Sequence, residues 1–346
     1  MRMELDSRKA RILSLIIESY IATGEPVGSK ALAEALENRV SSATIRNDMA
    51  VLTAAGYLEQ PHTSAGRLPT AKAFRLYIDR LMDRHPLTEQ DRRRIDETLA
   101  GAAGDPMQLL EDASRALADA TGYAAVAAKP AQKEISIARI DVMQMSPRNM
   151  AVVLVPEKGA LRTRMCRCQR DIPSAVTVAL SDYLSRKFLT RPLSCVTLEA
   201  MQEILIELGE AGLAVAPILS AFYELVQECA ASEVMLSGQL NLLRHPDYEL
   251  ESARSLMGFL SERSRLSSML SDQPENGLQV VLGSEDVPEL NGSSMIVTHY
   301  SLGMRGQGTI GIIGPVRMNY ADAIPRIEYF ANAVGRLLSE LFDEDE

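Results

Sequence analysis

Four residues, Glu37-Asn38-Arg39-Val40, separate two stretches of helical spacing, and a connection that short forces the second helix to cross the first. On the upstream side Ser29 caps a short helix through Leu36, in which Leu32 and Leu36 stand at i and i+4. On the downstream side Ser41-Ser42 open a helix that ends at Gly56. A further helix precedes both. Ile12, Leu15, Ile16 and Tyr20 recur at helical spacing from Asp6 to Ala22, Asp6 is placed as N-cap, and Thr23-Gly24-Glu25-Pro26 is the stop. After Gly56, Tyr57–Gln60 reads as a short strand, Pro61–Pro69 as a polar loop, and Thr70 to about Arg84 as another helix. Three helices, a strand and a polar loop in this order describe a winged helix-turn-helix, in which the third helix enters the major groove and the loop is the wing.

On the third helix Ile45, Met49 and Leu52 share one face and belong to a core, which turns Ala43, Arg46, Asn47 and Ala50 outward. Small residues permit close approach to a duplex. Arg46 has the geometry to pair with guanine and Asn47 with adenine. Ser41, Ser42 and Thr44 lie where hydroxyls and free amides suit a phosphate. Thr63, Ser64 and Arg67 fall in the wing, where phosphate or minor-groove contacts are expected. The same residues also read as solvated helix surface and as an ordinary N-cap; the order of elements is what favours DNA.

Charge is distributed unevenly. Residues 1–95 hold 15 Lys and Arg against 12 Asp and Glu, while the rest of the chain holds 21 against 34. An acidic body with a mildly basic N-terminal piece directs phosphate to that piece, although the excess there is small. At 346 residues, 46% hydrophobic and 24% charged, the chain is of globular type, with two or three domains at roughly 150 residues each. The N-terminus has no apolar core for a secretory signal, and the nearly uncharged run Ala211–Tyr223, interrupted by Pro217, is too short for the ~20 residues of a membrane span. Four cysteines without a C-x-x-C pair argue against a zinc site or a disulfide framework, so a reducing cytoplasm is expected.

Three segments resemble one known family. Val40–Thr70, VSSATIRNDMAVLTAAGYLEQPHTSAGRLPT, is similar to the heat-inducible transcription repressor family, HrcA, as are Gly238–Tyr248, GQLNLLRHPDY, and the closing stretch Gly306–Tyr320. One departure is Ala73-Phe74, where the family shows Gly-Tyr; its place on the helix after the wing points to packing rather than readout. The resemblance implies an α+β multidomain fold: a winged helix-turn-helix, a GAF-like domain, and a dimerising domain inserted in it. It further implies a cytoplasmic homodimer that binds an inverted repeat of double-stranded operator DNA upstream of chaperone operons, assisted by a GroE-type chaperonin.

Against that plan residues 1–86 form the DNA-binding domain, 87–106 a linker, 107–132 and 233–346 the GAF-like domain, and 133–232 the inserted α+β domain. Within the linker, Arg92-Arg93-Arg94 lies in the polar connection Leu87–Asp105. Met107–Gly122 is an amphipathic helix and Tyr123–Ala128 a strand of small residues. Strands follow at Ile135–Met145, Asn149–Val155 and Ala160–Cys168, the last alternating Leu161, Thr163 and Met165 against a wet Arg162 and Arg164. Helices are expected over Asp171–Phe188, Thr197–Leu208 and Pro217–Ala231. Beyond them come strands near Val234–Leu242, Leu278–Leu282, Ser294–Leu302 and Thr309–Ile313, with helices at Leu250–Ser264 and Tyr320–Leu341.

Enzyme chemistry finds little support. Gly306-Gln-Gly308-Thr-Ile-Gly311 matches G-x-G-x-x-G, but strand and turn residues follow where a dinucleotide site needs a helix, so the glycines are expected in a hairpin. His62, His85, His245 and His299 are scattered without metal spacing, and Ser301, His299 and Asp286 lack a nucleophile elbow. No cofactor is expected. Two rivals to the repressor remain: a winged-helix regulator switched by a small ligand in the GAF-like domain, and a nucleotide-binding enzyme built on Gly306–Gly311.

Overall fold

In the computed structural model the first helix, α1 (Ser7–Thr23), begins where the sequence places it: the Asp6 carboxylate accepts the Lys9 amide at 2.8 Å. It ends at Gly24, whose φ of 73° lets its N–H reach the Tyr20 carbonyl at 2.8 Å. Its buried stripe is Ile12, Leu13, Ile16 and Ile17, with Leu15 and Tyr20 only half-buried. Residues 5–62, 66–101, 105–130, 134–157, 161–230, 233–248, 250–271, 277–283, 290, 292–303 and 306–344 are described. The chain divides into two units: residues 1–128, 234–266 and 272–346 form the first, and residues 129–233 with 267–271 the second.

Ser29 is the first residue of α2 (Ser29–Ala35) rather than its cap; Gly28 holds the cap position without a side-chain bond. The connection to α3 (Ser42–Ala54) reverses through left-handed backbone at Glu37 and Asn38, φ 53° and 55°, a conformation asparagine tolerates well. β1 (Leu58–Glu59) pairs antiparallel with β2 (Leu68–Pro69), so the end of the polar loop is itself a strand. α4 (Ala71–Leu76), capped by Thr70, runs into a π-helical turn, Tyr77–Leu81, and stops at an extended Met82, short of the expected Arg84. Ala73 and Phe74 are both buried, and Phe74 lies 6.4 Å from the Tyr20 ring and 6.1 Å from that of Tyr320.

The stretch Leu87–Asp105, read as a polar connection, holds a helix. In α5 (Glu89–Ala100) Thr88 and Asp91 form a reciprocal capping box, and Ile95 and Leu99 are buried. Two apolar residues a turn apart were too few to outweigh the surrounding charge in the sequence pattern. α6 (Pro106–Thr121) follows, opened by Asp105 and closed at Gly122, and leads into β3 (Ala124–Ala128), every residue of which is buried.

The second unit starts with an antiparallel meander, β4 (Ile137–Gln144), β5 (Asn149–Pro156) and β6 (Arg162–Arg167). α7 (Ser174–Phe188), α8 (Leu198–Leu208) and α9 (Glu210–Ala230) complete it. Its core joins Ile140, Val142, Val152 and Leu154 to Leu184, Phe188 and Phe222, the two phenylalanine rings 5.7 Å apart. α9 begins at Glu210, well before the expected Pro217, which sits inside it. Proline removes one backbone donor, and a helix carrying Val215, Ile218, Leu219, Phe222, Leu225 and Val226 in the core tolerates that loss. Ala211–Ala230 is long and apolar enough to cross a membrane by composition, with mean hydropathy 1.3; here it is the core helix.

The polarity of β6 is the reverse of the expected one. Arg164 shares the covered face with Val152 and binds two α9 carboxylates, Glu224 at 2.7 Å and Glu228. The outward face carries the apolar residues: Leu161 and Met165 are 60% and 58% exposed, and Met143 and Met145 53% and 60%. Alternation fixes which residues share a face, but ion pairing to α9 decided which face is inside.

Back in the first unit, β7 (Val234–Ser237) is shorter than the expected strand because Gly238, at φ 71°, turns the chain into α10 (Gln239–Arg244). The helix expected to Ser264 divides into α11 (Leu250–Ser261) and α12 (Arg263–Ser271). β8 (Gln279–Leu282), β9 (Ser293–Ser301) and β10 (Gln307–Pro315) complete a five-stranded antiparallel sheet of order β7-β3-β10-β9-β8. The G-x-G-x-x-G run lies at the turn and in β10, as the hairpin reading expected. A Cβ on Gly308 would stand 2.1 Å from the Tyr300 ring, whose hydroxyl reaches the Ala128 carbonyl at 2.9 Å. α13 (Tyr320–Glu344) buries Tyr320, Ile324, Ile327, Phe330 and Val334 in a core that continues from Ile12 to Leu338.

Candidate nucleic-acid interface

The candidate interface is built on α3. Ser41 caps it, its hydroxyl accepting the Thr44 amide at 3.1 Å and lying 2.8 Å from the Thr44 hydroxyl. Ile45, Met49 and Leu52 are buried, and Ala43, Arg46, Asn47 and Ala50 are exposed together on the other side. Neither Arg46 nor Asn47 bonds to another side chain among the described residues. Ser42 and Thr44 are half-buried at the helix start.

Asp48 was missed by the sequence reading. Although charged it is buried, its carboxylate accepting Arg8 Nε at 2.8 Å and Nη2 at 3.2 Å, with Lys9 Nζ at 3.6 Å. The pairing ties α3 to the start of α1 and so fixes the rotation that turns Arg46 and Asn47 outward. Its only sequence signal was position, since Asp48 follows Ile45 by three residues and shares its face. Lys9 also bonds Asp6 through its amide and its ammonium, and these bonds hold the exposed Asp6 carboxyl below the usual range.

At the other end of α3, Lys72 Nζ donates to the Ala55 carbonyl at 2.8 Å and lies 4.5 Å above the Tyr57 ring, a cation where the helix dipole is negative. Arg67 sits at the base of the wing. Its backbone exchanges two hydrogen bonds with Val27, at 3.0 and 2.9 Å, and its Nε donates to the Thr53 hydroxyl at 3.2 Å. Gly66 makes that seam possible, because a Cβ there would meet the Val27 carbonyl oxygen at 2.5 Å. Thr63 and Ser64 lie outside the described residues.

Among the described residues no group of His, Cys, Asp and Glu could hold a metal ion. The geometry is that of a helix presenting a small-residue surface with one guanidinium and one carboxamide, backed by a rigid three-helix packing.

Residues 107–324 match the family described as HrcA protein C terminal domain. The chain belongs to the HrcA family. It is 33% identical over 347 residues to the heat-inducible transcription repressor HrcA of Acetivibrio thermocellus, covering 99% of both chains. It is 33% identical to that of Ruminiclostridium cellulolyticum, again over 99% of each, and 32% identical to that of Geobacter sulfurreducens, over 97% of this chain and 98% of the relative. A solved structure described as a hypothetical protein has the same fold with a TM-score of 0.58 at 23% identity, covering 98% of this chain and all of that one. The HrcA match spans α6 through the start of α13, including the segments Gly238–Tyr248 and Gly306–Tyr320.

Proposed function

We propose that the chain is a sequence-specific repressor of chaperone operons that binds an inverted-repeat operator as a homodimer. The observation that carries this reading is the exposed face of α3, where Arg46 and Asn47 stand between Ala43 and Ala50 with no side-chain partner among the described residues, while the opposite face is locked in place by Asp48. In this reading residues 1–86 are a winged helix-turn-helix with α3 in the major groove. Ser41, Ser42, Thr44 and Arg67 meet phosphates, and Thr63 and Ser64 belong to the wing. Residues 107–132 and 233–346 are the GAF-like domain, and 133–232 the dimerising domain. The outward face of the β4-β5-β6 sheet, with Met143, Met145, Leu161 and Met165 exposed, suits a second copy of the chain. The relatives' common name supports control in the heat response, and the family resemblance is what suggests a GroE-type chaperonin as partner.

Fluorescence anisotropy with the chaperone-operon inverted repeat against scrambled DNA tests the reading. Tight binding to the repeat that weakens by ~1–3 kcal/mol on Arg46→Ala, with binding to scrambled DNA little changed, is the expected result. Equal affinity of the intact chain for both DNAs overturns it.

A further inference from the structure

Three segments far apart in the sequence meet at the end of α1. The stop Thr23-Gly24-Glu25-Pro26 supplies the helix terminus, His245-Pro246-Asp247-Tyr248 a carboxylate, and Pro315-Val316-Arg317-Met318 a guanidinium. Arg317 Nη1 donates to the Ile21 carbonyl at 2.9 Å, one of the carbonyls that a helix C-terminus leaves unpaired. Its Nε bonds Asp247, at 2.8 Å to Oδ1 and 2.6 Å to Oδ2. The guanidinium lies flat against Gly24: a Cβ there would stand 3.1 Å from Cζ and Nη2. The Arg317 side chain is only 12% exposed, so this junction is largely desolvated and its charge-assisted bonds are correspondingly strong.

The same N-terminal piece also touches the body through apolar contacts such as Phe74 on Tyr320, through Arg75 Nη1 to the Val280 carbonyl at 2.7 Å, and, near its C-terminal end, through Arg84 to Glu328 at 2.8 Å and the His85 amide to the Ala321 carbonyl at 3.0 Å. Apolar contact supplies adhesion without direction. Arg317 differs because it grips the terminus of α1 with one nitrogen and Asp247 with another, and so fixes an angle. α1 is bonded in turn to α3 through Arg8 and Asp48, which carries that angle to Arg46 and Asn47.

A dimer that reads an inverted repeat needs its two recognition helices at one separation. A module free to swivel would bind half-sites at many separations. We propose that Arg317, held by Asp247, is a positioning residue that sets the orientation of α3 on the body and thereby the half-site spacing the repressor accepts, without itself touching DNA. The inference rests on the dimeric-repressor reading.

Two measurements on the full chain test it. The first steps the half-site separation of an inverted repeat one base pair at a time across one helical turn. The intact chain gives one sharp optimum; in Arg317→Ala and in the isosteric Asp247→Asn the preference for that optimum over the worst spacing falls about tenfold, while affinity for a single half-site is unchanged. The second needs no DNA: spin labels at A50C on α3 and D119C on α6, with the four native cysteines changed to alanine, report the distance between module and body. One narrow distribution in the Arg317 chain that broadens in both variants is the expected result. Distributions equally narrow with and without Arg317, or a spacing optimum that stays as sharp in both variants, overturn the proposal. If the intact chain ignores DNA altogether, the repressor reading falls and the distance measurement still decides the role of Arg317.

Discussion

Asp48 and Arg8 face each other forty positions apart, the buried carboxylate receiving two nitrogens of a half-exposed guanidinium at 2.8 and 3.2 Å. The rotation of α3 is set by this ion pair together with the burial of Ile45 and Leu52. Removing Arg8 leaves a desolvated charge whose remaining cation among the described residues is Lys9 at 3.6 Å. Arg8→Ala therefore lowers the melting temperature by a few degrees, whereas Arg8→Lys recovers part of the loss. Calorimetry on the two variants checks this; an unchanged melting temperature in Arg8→Ala shows the pair to be energetically idle.

The proposed interface gives Arg46 and Arg67 different roles on DNA. Arg46→Ala should cost ~1–3 kcal/mol on the specific site and relax discrimination at one base position. Arg67 spends its Nε on Thr53, and its remaining guanidinium donors have no partner among the described residues. Arg67→Ala should weaken binding on every sequence and lower the salt slope by about 1. Affinities of both variants on specific and random DNA, from low to high salt, separate the two effects; a changed base preference in Arg67→Ala points to minor-groove reading instead.

The outward face of the meander gives a test of assembly. Met143 and Met165 flank Ala151 across three adjacent strands, and Ala151 is buried between them. Met165→Glu puts a charge at the centre of this apolar surface. Light scattering should then report a monomer, and operator affinity should fall by ~10²–10⁴, the gain that linking two half-site readers provides. A charged variant that stays dimeric puts the interface elsewhere.

His245 gives a pH dependence. Burial depresses its pKa below 6.5, the nearby Arg317 acts in the same direction, and Asp247 opposes them. Its Nδ1 is buried without a hydrogen bond, 3.5 Å from Asp247. A depressed native pKa means that the unfolded chain takes up the proton first as pH falls below 6.5, so the stability from this site is present above 6.5 and is lost on acidification toward the native value. Melting temperatures measured from pH 7 downward should show a decline that is shallower in His245→Gln. Parallel curves assign the decline to carboxylates instead.

The N-terminal module was legible because its signals are local: caps at Asp6, Ser41 and Thr70, a stop at Gly24, and apolar residues at i and i+4. The outward residues of α3 followed from the same periodicity. What escaped was decided by distant partners. α5 is fixed by burial of only Ile95 and Leu99, and the inverted face of β6 by Glu224 and Glu228, sixty positions on from Arg164. Asp48 carried only the hint of its place on the Ile45 face, and nothing local marks Arg317 as the cap of another helix, because both outcomes depend on a partner the chain brings in from elsewhere.

The course of the chain around the second unit has a consequence for its history and its engineering. The sheet is left at Ala128 and rejoined at Val234, and those two residues are cross-strand partners in the β3–β7 pair. Just beyond them the Lys129 amide donates to the Glu233 carbonyl at 3.2 Å, and their side chains form an ion pair at the same distance. More than a hundred residues thus occupy the place of a hairpin turn. A short turn of the Asn-Gly type would close the same two strands without changing their register. The ladder is indifferent to what hangs from it, so long as the appended piece returns its ends side by side. That makes the junction a socket: the second unit can be exchanged there, by evolution or by design, while the five-stranded sheet is left as it is.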